Sequence, residues 1–170
     1  MVAFTLSNSG MIHGKLYKSS EEGNSMYKKI LIATDGSDHS KEAEKHGLTM
    51  AKRSGATVTA LHVVEVVHPS RSISSPTSLL LDEQIEALKE EGQKIVERVV
   101  EKGKEMGVDV HPVVAEGHPA SEIIEHAADH DLVVVGTLGR SGISHLLLGS
   151  VAEKVVRHAP VPVLVVKSKP

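Results

Sequence analysis

The pattern best suited to chemistry in this chain is Gly136-x-x-Gly139, nine residues, then Gly149-Ser150. It starts where an apolar run ends and finishes where a helical pattern begins. Glycine lets a backbone take up positive φ and lets an anion come close to main-chain N–H groups. Ser150 is a good N-cap, and a helix behind it directs free N–H groups and a partial positive charge outward. A polyphosphate is a natural occupant of that arrangement. The common phosphate loops are absent. There is no G-x-x-x-x-G-K-[ST], and Gly136-x-x-Gly139-x-x-Gly142 lacks the G-x-G-x-x-G spacing of dinucleotide sites. A glycine loop entering a capped helix is also a common structural turn, so the ligand reading depends on what faces it.

The elements around the loop supply that context. Ile30–Ala33 is a short apolar strand ending at Thr34-Asp35-Gly36-Ser37, and Val58–Val64 is a second. Between them a helix from about 40 to 53 places Ala43, Gly47, Leu48 and Ala51 on one face, with Gly55 as its stop. A polar loop covers about 68–78. Leu81, Ile85, Leu88, Gly92, Ile95, Val99, Gly103 and Met106 then recur at three- and four-residue steps, which predicts a long amphipathic helix closed by Gly107. Asp109–Val114 is the third strand. The turn 116–119 leads to a helix carrying Ile123, Ile124, Ala127 and Ala128. Leu132–Val135 is the fourth strand. The glycine loop follows, with a helical turn expected at 144–148, then a helix over Ser150–His158 and a last strand over 161–166.

Five strands alternating with helices predict an α/β fold, an open five-stranded parallel sheet with helices on both faces. Pro112 and Pro162 place the third and fifth strands at the edges, where a missing donor is tolerated. The order 3-2-1-4-5 follows, with winding reversed between the first and fourth strands. Ligands bind outside the carboxyl ends of strands at such a reversal. Thr34-Asp35-Gly36 and Gly136-Thr137-Leu138-Gly139 then face each other across one crevice.

Composition removes several function classes. The apolar 40% is almost entirely aliphatic, with one Phe, two Tyr and no Trp. That suits a buried parallel sheet and leaves little to stack on bases or on a flavin ring. With 19 basic against 22 acidic residues there is no basic stripe, so neither a nucleic-acid nor an acidic-membrane surface is expected. Cysteine is absent, and no apolar run reaches the roughly 18 residues of a membrane span. A cytoplasmic protein is the simplest reading. His126 and His130 stand four apart on a helix, but Ala127 occupies the place where a zinc-protease helix has Glu, and no protein-ligated metal is expected. His62, in mid-strand, reads as a satisfied, partly buried histidine. Asp35 and Asp38 lack the further Asp and Lys of a phospho-acceptor pocket. Residues 1–25, rich in Ser, Gly, Asn and Lys, read as a mobile extension preceding a domain over 26–170.

The stretch Val135-Gly136-Thr137-Leu138-Gly139-Arg140 through Leu148-Gly149-Ser150-Val151-Ala152-Glu153-Lys154-Val155 resembles the G-2x-G-9x-G-[ST] signature of ATP-binding universal stress proteins. Ile30–Ser37, Leu61-His62-Val63, Gly117-x-Pro119 and Pro160–Val166 are similar to other parts of the same family, so the resemblance runs from about 26 to 168. It implies an adenine nucleotide α-hydrolase-like fold that binds ATP, with Mg²⁺ or Mn²⁺ held by the phosphates. Carried over by position, it gives Asp35 and the backbone of Val63 the adenine and ribose end, with Ala33 (where the family often has Pro) and Thr34 lining the pocket. Val135 packs on the base, Gly136 and Gly139 pass under ribose and phosphates, and Gly149, Ser150 and Val151 take the phosphate tail. Arg140, beside Gly139, is a further candidate phosphate partner because guanidinium suits bidentate contacts. The competing reading, a solvated loop charge, is the commoner one for Arg.

Three functions stay open at this stage: a nucleotide-dependent regulatory module, a slow ATPase using the same pocket, and a structural dimer that binds no nucleotide. No Glu or Asp stands out as a hydrolytic base, which favours binding. A homodimer is expected through strand 161–166, whose apolar edge would pair with its own copy. Pro162 and Lys167 offer the alternative of a blunted, monomeric edge.

Overall fold

The computed structural model describes residues 3–6, 12–15, 26–66, 76–139 and 148–167. Within the first 25 residues, Ala3–Leu6 (β1) and Ile12–Lys15 (β2) pair antiparallel as a separate two-stranded sheet, which the sequence did not announce. β1 runs close to the last strand of the main sheet without joining its ladder.

The main sheet contains β3 (Lys29–Ala33), β4 (Thr57–Val64), β5 (Val110–Glu116), β6 (Leu132–Gly136) and β7 (Val163–Val166). All its pairs are parallel, in the order β5-β4-β3-β6-β7, which is the expected 3-2-1-4-5. Both prolines sit at edges. Pro112 lies opposite Ala60 in β5, and Pro162 immediately precedes β7, where its carbonyl accepts the Val133 N–H at 3.0 Å.

Strand side chains alternate between faces. Ile30, Ile32, Val58, Ala60 and Val134 pack on one side with Ala43, Leu48 and Ala51 of α1 (Asp38–Ser54) and Val96 and Val99 of α2 (Pro76–Met106). Leu31, Leu61, Val133 and Val135 pack on the other with Ile123 and Ala127 of α3 (Pro119–Ala127) and Ala152 and Val155 of α4 (Ser150–His158). Each fully buried Leu or Ile contributes about 2 kcal/mol in this two-sided core. Gly47 lets α1 approach β3 closely, since a Cβ there would lie 2.5 Å from Ile32 Cδ1. Gly55, at φ 65°, closes α1 as its C-cap.

Two expectations about α2 need correction. It begins at Pro76, inside the expected loop, because proline is accommodated in a first helical turn and Thr77 and Ser78 carry no periodic signal. Leu88, assigned to the core face, is 43% exposed. A helix of 31 residues runs roughly 46 Å. The eight residues of β4 span only roughly 26 Å. The amino-terminal part of α2 therefore overshoots the sheet, and close packing begins at Gly92 and Ile95. The helical turn expected at 144–148 falls on 144–147, outside the described residues, apart from Leu148. No helix among the described residues is long and apolar enough to cross a membrane.

Candidate functional site

β3 and β6 lie side by side where the winding reverses, and their carboxyl ends open into a cleft of about 440 Å³. Its lining includes Ala33, Thr34 and Asp35 from the end of β3, and Val63 from β4. Val135, Gly136 and Gly139 come from the end of β6, and Gly149, Ser150 and Val151 from the start of α4. Ten of the eleven residues expected at the site thus come together in one place. The eleventh, Arg140, lies outside the described residues.

The three glycines matter for their size. None of them has positive φ, and Gly149 sits at φ −73° in extended backbone. A Cβ on Gly139 would stand 2.9 Å from Asp35 Oδ2. One on Gly136 would stand 3.1 Å from the His39 carbonyl, and one on Gly149 3.3 Å from the Thr137 carbonyl. The loop is drawn shut at its ends by the Gly149 N–H, which donates to Thr137 O at 2.7 Å. Positive φ occurs instead at Gly36 (76°), in the facing turn.

The cap is also shifted by one residue. Gly149 is the N-cap and makes no side-chain cap bond, so Ser150 is the first helical residue, and it is exposed. Helix geometry leaves the N–H groups of Ser150, Val151 and Ala152 without intrahelical acceptors, at the positive end of the α4 dipole and against the cleft. The described lining carries the carboxylates of Asp35, Glu65 and Glu91 and no Lys or Arg. An anion here meets backbone N–H groups on one side and carboxylates on the others.

The Asp35 carboxylate is held in place. Its Oδ1 accepts from the Ser37 hydroxyl at 2.6 Å and from the Ser37 N–H at 3.1 Å. Ser37 in turn caps α1, its Oγ accepting the Ser40 N–H at 3.2 Å. Thr34 is 5% exposed. Its hydroxyl donates to Glu44 Oε1 at 2.6 Å, lies 3.1 Å from Ser40 Oγ, and accepts the Gly36 N–H at 3.2 Å. His62 is buried, with Nδ1 2.8 Å from Thr34 O; a carbonyl only accepts, so Nδ1 carries the proton. That agrees with the satisfied histidine expected from sequence.

Sequence reasoning missed Glu65, Leu88, Glu91 and Ser40 in the lining. Ser40 was within reach, because it stands one turn before Glu44 on the buried side of α1. His126 and His130 both turn Nδ1 to carbonyls one turn earlier, and His130 Nε2 reaches Thr59 Oγ1 at 2.8 Å. Among the described residues no group of three or more His, Asp or Glu is placed to hold a metal ion.

The family model described as "Universal stress protein family" matches residues 26–167. A universal stress protein of Methanocaldococcus jannaschii is 46% identical over 147 residues, covering 85% of each chain. A second protein of that organism, solved in a study titled as a structure-based assignment of biochemical function, superposes with a TM-score of 0.74 at 33% identity. That match covers 85% of this chain and 99% of the other. A universal stress protein solved in complex with cAMP gives a TM-score of 0.64 at 30% identity, covering 85% of this chain and all of the other.

Proposed function

Because the chain belongs to the universal stress protein family, we propose that it binds ATP in the cleft between β3 and β6 and acts as a nucleotide-dependent regulatory module. The observation that carries this reading is the cradle opposite Asp35. Glycines stand at 136, 139 and 149, where a Cβ would crowd the His39 carbonyl, Asp35 and the Thr137 carbonyl, and the start of α4 adds its free N–H groups. Asp35 and the Val63 backbone take the ribose and base, Ala33 and Thr34 line the pocket, and Val135 packs on the base. Gly136 and Gly139 pass under ribose and phosphates, and Gly149, Ser150 and Val151 take the phosphate tail, whose Mg²⁺ or Mn²⁺ offsets the charge of the surrounding carboxylates. The cAMP complex of a relative supports an adenine nucleotide as the ligand class.

Binding ranks ahead of hydrolysis in this proposal. Asp35 Oδ1 is already engaged by Ser37 and is poorly free to serve as a base. Among the described residues β7 is the last strand of the main sheet and pairs only with β6, which supports a homodimer formed by pairing 161–166 with its own copy; sedimentation velocity showing only single chains at micromolar concentration would remove that part. For the nucleotide, small molecules released on denaturing freshly purified protein are identified by mass spectrometry, beside a Ser150→Glu variant that places a negative charge at the phosphate position. ATP from the wild type and none from the variant is expected. Protein that releases no nucleotide and fails to take up added ATP would overturn the reading.

A further inference from the structure

The buried polar side chains among the described residues are Thr34, Ser40, Glu44 and His62. All four belong to one connected group around Thr34, and the group does not end at the cleft. Glu44, on α1, is 3% exposed, and its second oxygen, Oε2, accepts from Lys102 Nζ at 2.7 Å. Lys102 stands on α2 with its side chain 45% exposed. Removal of one partner of a buried ion pair is costly because the other is left uncompensated.

The bonds then lead inward. Glu44 Oε1 holds the Thr34 hydroxyl, and Thr34 Oγ1 holds the Gly36 N–H, which fixes the turn that carries Asp35. The same helix lies over that turn: a Cβ on Gly36 would stand 3.0 Å from Ile95 and 3.1 Å from Arg98 Nη2. A surface lysine is thereby connected to the Asp35 turn through one buried carboxylate and one hydroxyl.

We propose that Lys102 and Glu44 are positioning residues of the cleft, a charge pair that sets the Thr34–Gly36 turn and through it the affinity for nucleotide. Neither residue lines the cleft. The inference rests on reading the cleft as a nucleotide site, but its first consequence needs no nucleotide. With Lys102 gone, Glu44 is an unpaired buried charge and the turn loses its fixed geometry. Replacement of Glu44 by Gln in that background removes the charge and leaves Oε1 to accept from Thr34.

The test is hydrogen–deuterium exchange over residues 34–40 in nucleotide-free protein, with titration of Mg-ATP alongside. Lys102→Ala is expected to speed exchange in that segment above the rest of the domain. It should weaken ATP binding about tenfold, as the competent turn becomes a minor conformer. Lys102→Arg should restore both, and the Lys102→Ala, Glu44→Gln double variant should recover most of each. Unchanged exchange at 34–40 would overturn the proposal. So would faster exchange spread evenly over the domain, or a loosened turn with ATP affinity intact. If the wild type takes up no ATP, the nucleotide reading falls, and the exchange arm alone decides whether Lys102 holds the turn.

Discussion

Asp35 and Gly139 approach each other across the cleft so closely that a Cβ at position 139 would stand 2.9 Å from Asp35 Oδ2. Asp35 has little freedom to yield, because Ser37 grips its other oxygen through both hydroxyl and N–H. Gly139→Ala must therefore move either the loop or the carboxylate. Both stand at the proposed ribose end, so the variant is expected to bind ATP about tenfold more weakly, in line with the 1–3 kcal/mol of local overpacking. Its melting temperature should change by only a few degrees. Calorimetric titration checks the affinity, and wild-type binding by Gly139→Ala would show that the approach is not part of the site.

Charge around the cleft yields a second expectation. Asp35, Glu65 and Glu91 line it, and the described lining has no Lys or Arg to offset a polyphosphate. A metal-free triphosphate meets like charge there, and within the described lining only the α4 terminus favours it. Removal of divalent cations with EDTA should weaken ATP binding by about tenfold or more, while adenosine, which has no phosphates, should bind equally well with and without them. ATP affinity indifferent to EDTA would mean that residues outside this lining carry the phosphate charge.

Much of this architecture was legible in the sequence because its signals are local. Pro112 and Pro162 marked the edge strands, and the period switch from Ile30–Ala33 to the Ala43, Gly47, Leu48, Ala51 face marked β3 and α1. The glycine spacing marked the loop ends that line the cleft. What stayed hidden depends on partners far along the chain. Glu44 falls on the buried face of α1, between Ala43 and Gly47, and that position alone asks for a cation. Nothing local says that the cation is Lys102, 58 residues away. Leu88 followed the helical period faithfully, and only the length of the sheet beneath decides that it is left exposed at the cleft rim. The choice of Gly149 over Ser150 as N-cap reverses the usual preference for Ser. The Gly149 N–H is engaged by Thr137 O, which holds that residue in the extended conformation a cap requires.

Packing of α1 on β3 offers a test of the core. Gly47→Ala gains helix propensity of about 1 kcal/mol. Its new methyl, however, would enter within 2.5 Å of Ile32 Cδ1, and both Ile32 and its neighbour Val134 are fully buried. Overpacking of about 1–3 kcal/mol outweighs the gain. The variant should be less stable in urea, and Ile32→Val in the same chain, which removes the offending Cδ1, should recover part of the loss. A Gly47→Ala protein as stable as the wild type would show that α1 can slide on the sheet.

At the opposite end of the sheet, Asp131 holds the start of β3. Its Oδ2 accepts the Lys28 N–H at 2.7 Å and the Lys29 N–H at 2.9 Å. These backbone donors favour the ionised carboxylate and hold its pKa below the ordinary 3.8. A carboxylate whose folded pKa is depressed contributes stability that is fully present above the unfolded value. That contribution is lost as pH falls through the folded one. Asp131→Asn should therefore cost about 1 kcal/mol near neutral pH, at the low end for bonds to a charged acceptor because the group is exposed. The gap between wild type and variant should stay constant down to about pH 4 and close below it. Parallel urea titrations between pH 7 and pH 3 measure the gap directly. A gap that persists unchanged at the acid end would mean that the Asp131→Asn amide disturbs the β3 start by shape, and that the charge on Asp131 contributes nothing.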